Sequence, residues 1–176
     1  GTFFAVRSGE SSIFTINKDS LDKIFRTFHE LRNKSLVSLK MGEATKIELK
    51  YSDKTFELVA SGDDWTLTKP KKQKKINSFR ARDILWTLNN LEFVDEIEAT
   101  LTDKITGLNM PELEVSIWNK NNKKLAHVKV GRKTDEDFYY ARTEAKPSIF
   151  KIKKRFLEEI PNKLEDFKTI SPSDTE

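Results

Sequence analysis

The chain has 176 residues, of which 36% are apolar and 34% charged, enough for one hydrophobic core or a core with a satellite. Its 32 basic and 28 acidic residues leave a net charge of +4, so the excess reads as a lysine-rich solvated surface rather than a field built for nucleic acid. The lack of cysteine excludes disulfides, thiolate metal sites and cysteine nucleophiles, and no apolar run nears the roughly 18 residues of a membrane span.

Thr2–Arg7 and Ser12–Ile16 are short β-rich runs joined by Ser8-Gly9-Glu10-Ser11, which reads as a hairpin. Asp19 or Ser20 can cap a following helix whose apolar residues Leu21, Ile24, Phe25, Phe28 and Leu31 keep helical spacing. Thr45–Tyr51 alternates and turns at Ser52-Asp53-Lys54 into Thr55–Ala60; Ser61-Gly62-Asp63-Asp64 then leads to Trp65–Thr68, and Pro70 ends that strand. Ser78 is expected to cap a second helix with Phe79, Ile84, Leu85, Leu88 and Leu91 on one side, followed by a strand over Phe93–Ala99. Gly107–Pro111 is a turn into Leu113–Trp118. Asn121-Asn122 suits a tight hairpin, and the returning strand Leu125–Val130 ends at Gly131. Phe138–Thr143, a Lys146-Pro147 turn, Ser148–Ile152 and a run holding Leu157, Ile160, Leu164 and Phe167 close the chain, with Pro161 breaking the last helix.

That last plan is the first one again. Residues 3–35 align without a gap on residues 139–171, and 8 of the 22 positions from 3 to 24 are identical. Average composition would match roughly one or two. Residues 1–33 therefore read as the tail portion of a preceding repeat, hairpin plus helix; residues 34–170 as one complete repeat; and residues 171–176 as a polar tail. The expected fold is α+β, with meandering antiparallel strands and three helices covering one sheet face, built from hairpin-plus-helix repeats. The two similar pieces could be halves of one body or parts of adjoining units; adjoining units is the reading adopted.

Few residues offer chemistry. Lys69, Lys71, Lys72, Lys74 and Lys75, with Arg80 and Arg82 beyond, form the densest basic stretch. It is either a phosphate-contacting loop at a helix start or a solvated connection that keeps a strand edge soluble. Asp63-Asp64 and Asp135-Glu136-Asp137 lack the spacing of a recognised calcium or magnesium loop. His29 and His127 stand far apart with no metal-ligand pattern, and no serine sits in a G-x-S-x-G elbow. No cofactor is expected. Of Phe3-Phe4 and Tyr139-Tyr140, which open equivalent strands, one of each pair should face the core and the other a contact between repeats. Trp65, Trp86 and Trp118 read as structural anchors.

The order of motifs resembles a bacterial family catalogued as domain of unknown function 4340. Its L-R-x-K-like start is matched by Leu31-Arg32-Asn33-Lys34, and its W-x-L-x-x-P element by Trp65-Thr66-Leu67-Thr68-Lys69-Pro70. Its G-L-x-x-P turn reads Gly107-Leu108-Asn109-Met110-Pro111, its strand-ending glycine is Val130-Gly131, and its Y-Y-x-R strand is Tyr139-Tyr140-Ala141-Arg142. The first copy departs, with Phe3-Phe4-Ala5-Val6 at that last motif. The resemblance runs over residues 31–168. It implies repeats outside the cytoplasmic membrane, tethered by an N-terminal helix beyond this chain, and genes that accompany gliding-motility-type ABC-transporter components. It supplies no catalytic residues. The functional expectation is a non-enzymatic interaction or scaffold module whose partners are proteins, ABC-transporter subunits among them. The alternatives are a nucleic-acid-binding module using Lys69–Arg82 and an envelope-polymer hydrolase using Asp63 or Asp64.

Overall fold

The computed structural model describes residues 2–6, 8–9, 11–24, 32–71, 74–97, 101–134 and 137–167, apart from the side chains of residues 22–24 and 74–75. Phe25, Phe28, Leu31, His29, Lys72, the Asp135-Glu136 pair, residues 98–99 of the expected strand and the tail 171–176 lie outside it. The chain divides into two compact units, Gly1–Asn33 and Lys34–Glu176.

In the first unit, β1 (Thr2–Val6) and β2 (Ile13–Asn17) form an antiparallel pair, followed by α1 (Lys18–Ile24). Gly9 takes a positive φ of 87° in the connecting turn. The helix begins two or three residues earlier than expected: the Asn17 side chain accepts the Ser20 amide at 2.8 Å, so Asn17, not Asp19 or Ser20, satisfies an orphan N–H of the first turn.

The second unit is built on one sheet of nine antiparallel strands in the order β6-β5-β4-β3-β8-β9-β10-β11-β7. These are β3 (Ala44–Tyr51), β4 (Thr55–Ser61), β5 (Asp64–Lys69), β6 (Lys74–Ile76), β7 (Phe93–Ile97), β8 (Leu113–Asn119), β9 (Lys124–Lys133), β10 (Phe138–Thr143) and β11 (Ile149–Lys153). The helices are α2 (Ser78–Asn89), α3 (Asp103–Thr106) and α4 (Arg155–Glu159), with 3-10 turns at Met41–Glu43 and Leu164–Phe167. The α+β class holds.

Strand alternation explains where the core sits. Ile47 and Leu49, Phe56 and Leu58, Trp65 and Leu67, Val115 and Ile117, and Val128 and Val130 all turn to one face. There they meet Ala81, Ile84, Leu85 and Leu88 of α2, together with Phe156, Ile160 and Phe167. The four α2 residues follow i, i+3, i+4, i+7 spacing, the buried stripe of a helix. Phe79 lies five positions before Ile84, about 140° around the helix, and is exposed rather than in the stripe.

Several expectations are corrected. Four α-helices are present among the described residues, and those of the second unit do not share one sheet face. Ala141 is buried with the α2-side core, so alternation sends its neighbour Arg142 to the opposite face, where it meets Asp103 at the start of α3. The residues after Pro70 are not wholly loop: Lys74–Ile76 is an edge strand paired with β5. Ser78 does not cap α2, because Asn77 accepts the Phe79 amide at 3.0 Å while the Ser78 hydroxyl donates to the Asp63 carbonyl. Gly131 does not end β9. The β9–β10 ladder shifts register between Tyr139 and Ala141, so Gly131 sits in a bulge that the strand runs through to Lys133.

Candidate functional site

The two similar segments share one geometry. Thr2 pairs with Asn17 and Ala5 with Phe14 in β1–β2, while Phe138 pairs with Lys153 and Ala141 with Phe150 in β10–β11. Each partner in the second pairing is its counterpart in the first moved by 136 positions, so the strand register is the same, and a short helix follows both hairpins.

Their surroundings differ. The β10–β11 hairpin is inserted between β9 and β7, and Phe150 lies against Phe93 with ring centroids 5.0 Å apart. Among the described residues β1 and β2 pair only with each other. Ile149 is 4% exposed and its counterpart Ile13 68%; Phe150 is 2% exposed and its counterpart Phe14 49%. Phe3, Phe4 and Val6 are exposed as well. Neither Phe3 nor Phe4 is core among the described residues, whereas Tyr139 and Tyr140 are both half-buried and Tyr139 packs against the core. An apolar hairpin with two open edges is a surface that other chains can extend.

The motif residues are a joint rather than a reaction centre. Gly107 has a φ of 75°, and a Cβ there would lie 2.9 Å from the Arg132 backbone nitrogen. A Cβ on Gly131 would overlap the Thr106 carbonyl oxygen. The α3 turn and the β9 bulge thus touch backbone to backbone, which only glycine permits at both places. Arg142 closes the joint through two bonds to Asp103, Nη1 to Oδ2 at 2.9 Å and Nη2 to Oδ1 at 2.8 Å. Trp65 and Leu67 of the tryptophan motif are core residues.

The described side chains of the basic stretch do not converge. Lys69 is held by Glu57 at 3.1 Å and Glu48 at 3.8 Å, Lys71 is exposed, and Lys74 and Lys75 belong to the edge strand. Arg80 reaches Asp83 at 3.8 Å, and Arg82 lies over the Phe79 ring at 5.9 Å. Burial alone would raise the Glu57 pKa, but hydrogen bonds from Thr68, Lys69 and Lys46 hold it below the usual carboxylate range. Glu114 behaves alike: burial works against its charge, and His127 and Lys50 more than offset that. These groups form a ladder across the face opposite the α2 core.

Two features gave no usable signal in the sequence. A groove of about 520 Å³ runs beside α2, floored by Ala44, Trp65 and Leu85 and rimmed by Met41, Asp63, Arg82, Asp83 and Trp86. Trp86 is 56% exposed, so it is no anchor; only the i, i+3, i+4, i+7 set of Phe79, Arg82, Asp83 and Trp86 could have marked this outward stripe. The second feature is His127, whose Nε2 lies 3.3 Å from Glu114 and whose Nδ1 lies 3.9 Å from Glu144. The two carboxylates flank opposite ring nitrogens, so they do not converge on a point where a cation could sit. Among the described residues no group of three or more His, Asp or Glu could hold a metal ion. Asp63 and Asp64 sit at the β4–β5 turn, both exposed.

The family model described as "Domain of unknown function (DUF4340)" matches residues 1–106, more than half of the chain and across the division between its two units. The motifs from Gly107 onward lie beyond that match. Neither a curated protein nor a solved structure matches the chain.

Proposed function

The chain belongs to the DUF4340 family, and from that premise we propose that it is a non-enzymatic interaction module, one unit of a serial array that binds other proteins through its β1–β2 hairpin. The observation that carries this reading is the contrast between two hairpins of one register, one enclosed in a sheet and the other presenting Phe3, Phe4, Val6, Ile13 and Phe14 to solvent. Exposed aromatic and aliphatic side chains beside open strand edges suit extension by a partner strand, with the edges supplying affinity and the alternating side chains specificity. In the fuller form of the proposal, the module lies outside the cytoplasmic membrane as part of an accessory protein of an ABC-type transporter, an extension that rests on the family resemblance alone. No helix among the described residues is long and apolar enough to cross a membrane.

The basic stretch favours nucleic acid less, since Lys69 is engaged with carboxylates and the described residues of the stretch belong to different elements. Capture from detergent-solubilised membranes of the native host tests the proposal. Wild-type chain should retain a defined protein set, transporter subunits included, that Phe4→Asp/Phe14→Asp loses. Capture of nothing, or capture indifferent to those substitutions, contradicts it.

A further inference from the structure

We propose that the β1–β2 hairpin is the closing hairpin of a second sheet: it fills the gap between a β9-type strand and a β7-type strand of another unit of this fold, placed ahead of Thr2 in the polypeptide. The inference deepens the interaction reading and rests on it, by naming the partner as a further repeat and giving the pairing.

The second unit displays the slot in use. There β10 pairs with β9 through Ala141↔Val130 and Arg142↔Lys129, and β11 pairs with β7 through Ile149↔Ile97, Phe150↔Glu96 and Ile152↔Phe93. Moved by 136 positions, these pairings bring Ala5 and Val6 to the β9-type strand and Ile13, Phe14 and Ile16 to the β7-type strand. The side chains suit those places. Ala5, Ile13, Phe14 and Ile16 are identical to Ala141, Ile149, Phe150 and Ile152, all four of which are buried. Residues that match a core position by position, in the same register, and yet are exposed (Ile13, Phe14) or only half-buried (Ala5, Ile16) are shaped for a core of that kind.

One substitution sets the two hairpins apart. Val6 occupies the position of Arg142, whose guanidinium grips Asp103. A unit that receives β1–β2 has no arginine from it. An aspartate at the Asp103 position of that unit, half exposed as it is here, would be left to water instead of an arginine.

The test grafts the hairpin within the full chain: residues 138–153 are replaced by a copy of residues 2–17, sixteen for sixteen. If the hairpin fits the slot, the graft unfolds in urea as a single transition monitored by tryptophan fluorescence. Putting the native arginine back at position 142 of the graft then raises the folded-to-unfolded ratio by about fivefold or more, whereas Val6→Arg in the unmodified chain leaves it unchanged. A composition-matched scramble of the same sixteen residues gives no cooperative transition. The proposal is overturned if the graft is as non-cooperative as the scramble, or if arginine at position 142 has no effect. A graft that folds while membrane capture finds no partner would sink the broader interaction reading and leave this assignment standing.

Discussion

Phe14 and Phe150 are the same residue in the same place of two hairpins, and their truncation should have unequal consequences. Phe150 is 2% exposed and packs on Phe93. A phenyl side chain removes roughly 150–200 Å² from water, which at about 25 cal/mol per Å² amounts to about 4–5 kcal/mol. Phe150→Ala should therefore cost about 4 kcal/mol, in line with core phenylalanine truncations. All three tryptophans, Trp65, Trp86 and Trp118, belong to the second unit, so tryptophan fluorescence follows its unfolding alone. With a urea dependence of about 2 kcal/mol per molar, the Phe150→Ala midpoint should fall by about 2 M. Phe14→Ala, half in solvent in the other unit, should leave it unchanged within about 0.5 kcal/mol. Equal losses from the two substitutions, or an unmoved midpoint for Phe150→Ala, would refute the claim that one hairpin is enclosed and the other is not.

Gly131→Ala pushes a methyl into the Thr106 carbonyl, where backbone rather than a flexible side chain must give way. It should cost about 3 kcal/mol, or roughly 10 °C in melting temperature, and calorimetry showing less than a 2 °C change would remove the glycine joint. Arg142→Lys cannot reproduce the two-pronged grip on Asp103; both side chains are partly exposed, so a double-mutant cycle with Asp103→Asn should give a coupling of about 1 kcal/mol. Glu57 and Glu114 titrate below the ordinary value of 4.5 in the folded chain. Their stabilising contribution is present above that value and lost as the pH falls through their folded values, so acid should unfold the protein below about pH 4.5. Glu112, raised by burial, acts with the opposite sign. Glu57→Gln/Glu114→Gln should flatten the acid limb, and an unchanged limb would assign it to other carboxylates.

Most strands were legible because the second unit keeps one sheet face wet and one dry, so Ile47, Leu49, Phe56 and Leu58 alternate with charged residues. Elements that carry little apolar signal were missed. Lys74–Ile76 is a three-residue strand whose one apolar residue is Ile76, and lysine density reads as loop. The α3 helix is four residues long and is held by its surroundings more than by periodicity. Asn77 caps one residue ahead of the expected Ser78, and Asn17 two or three ahead of Asp19 or Ser20, because N-capping types stand close together at both places. The joint needed coordinates: Asp103, Gly107, Gly131 and Arg142 are spread along the chain and meet only when β9 and β10 are in register. Trp86 shows the limit of composition, since an aromatic on a helix reads as core until its neighbours reveal which stripe it occupies.

Hydrogen exchange across residues 2–17 and 138–153 tests the central contrast most directly, because the two segments match in length and register. A two-stranded hairpin with open edges is marginal in water, so the amides of residues 2–17 should exchange through local opening, orders of magnitude faster than those of 138–153, which should be protected to near the global stability of the sheet. Protection of comparable size in both segments would show that the first hairpin is already enclosed, and the account of it as a docking element would fall.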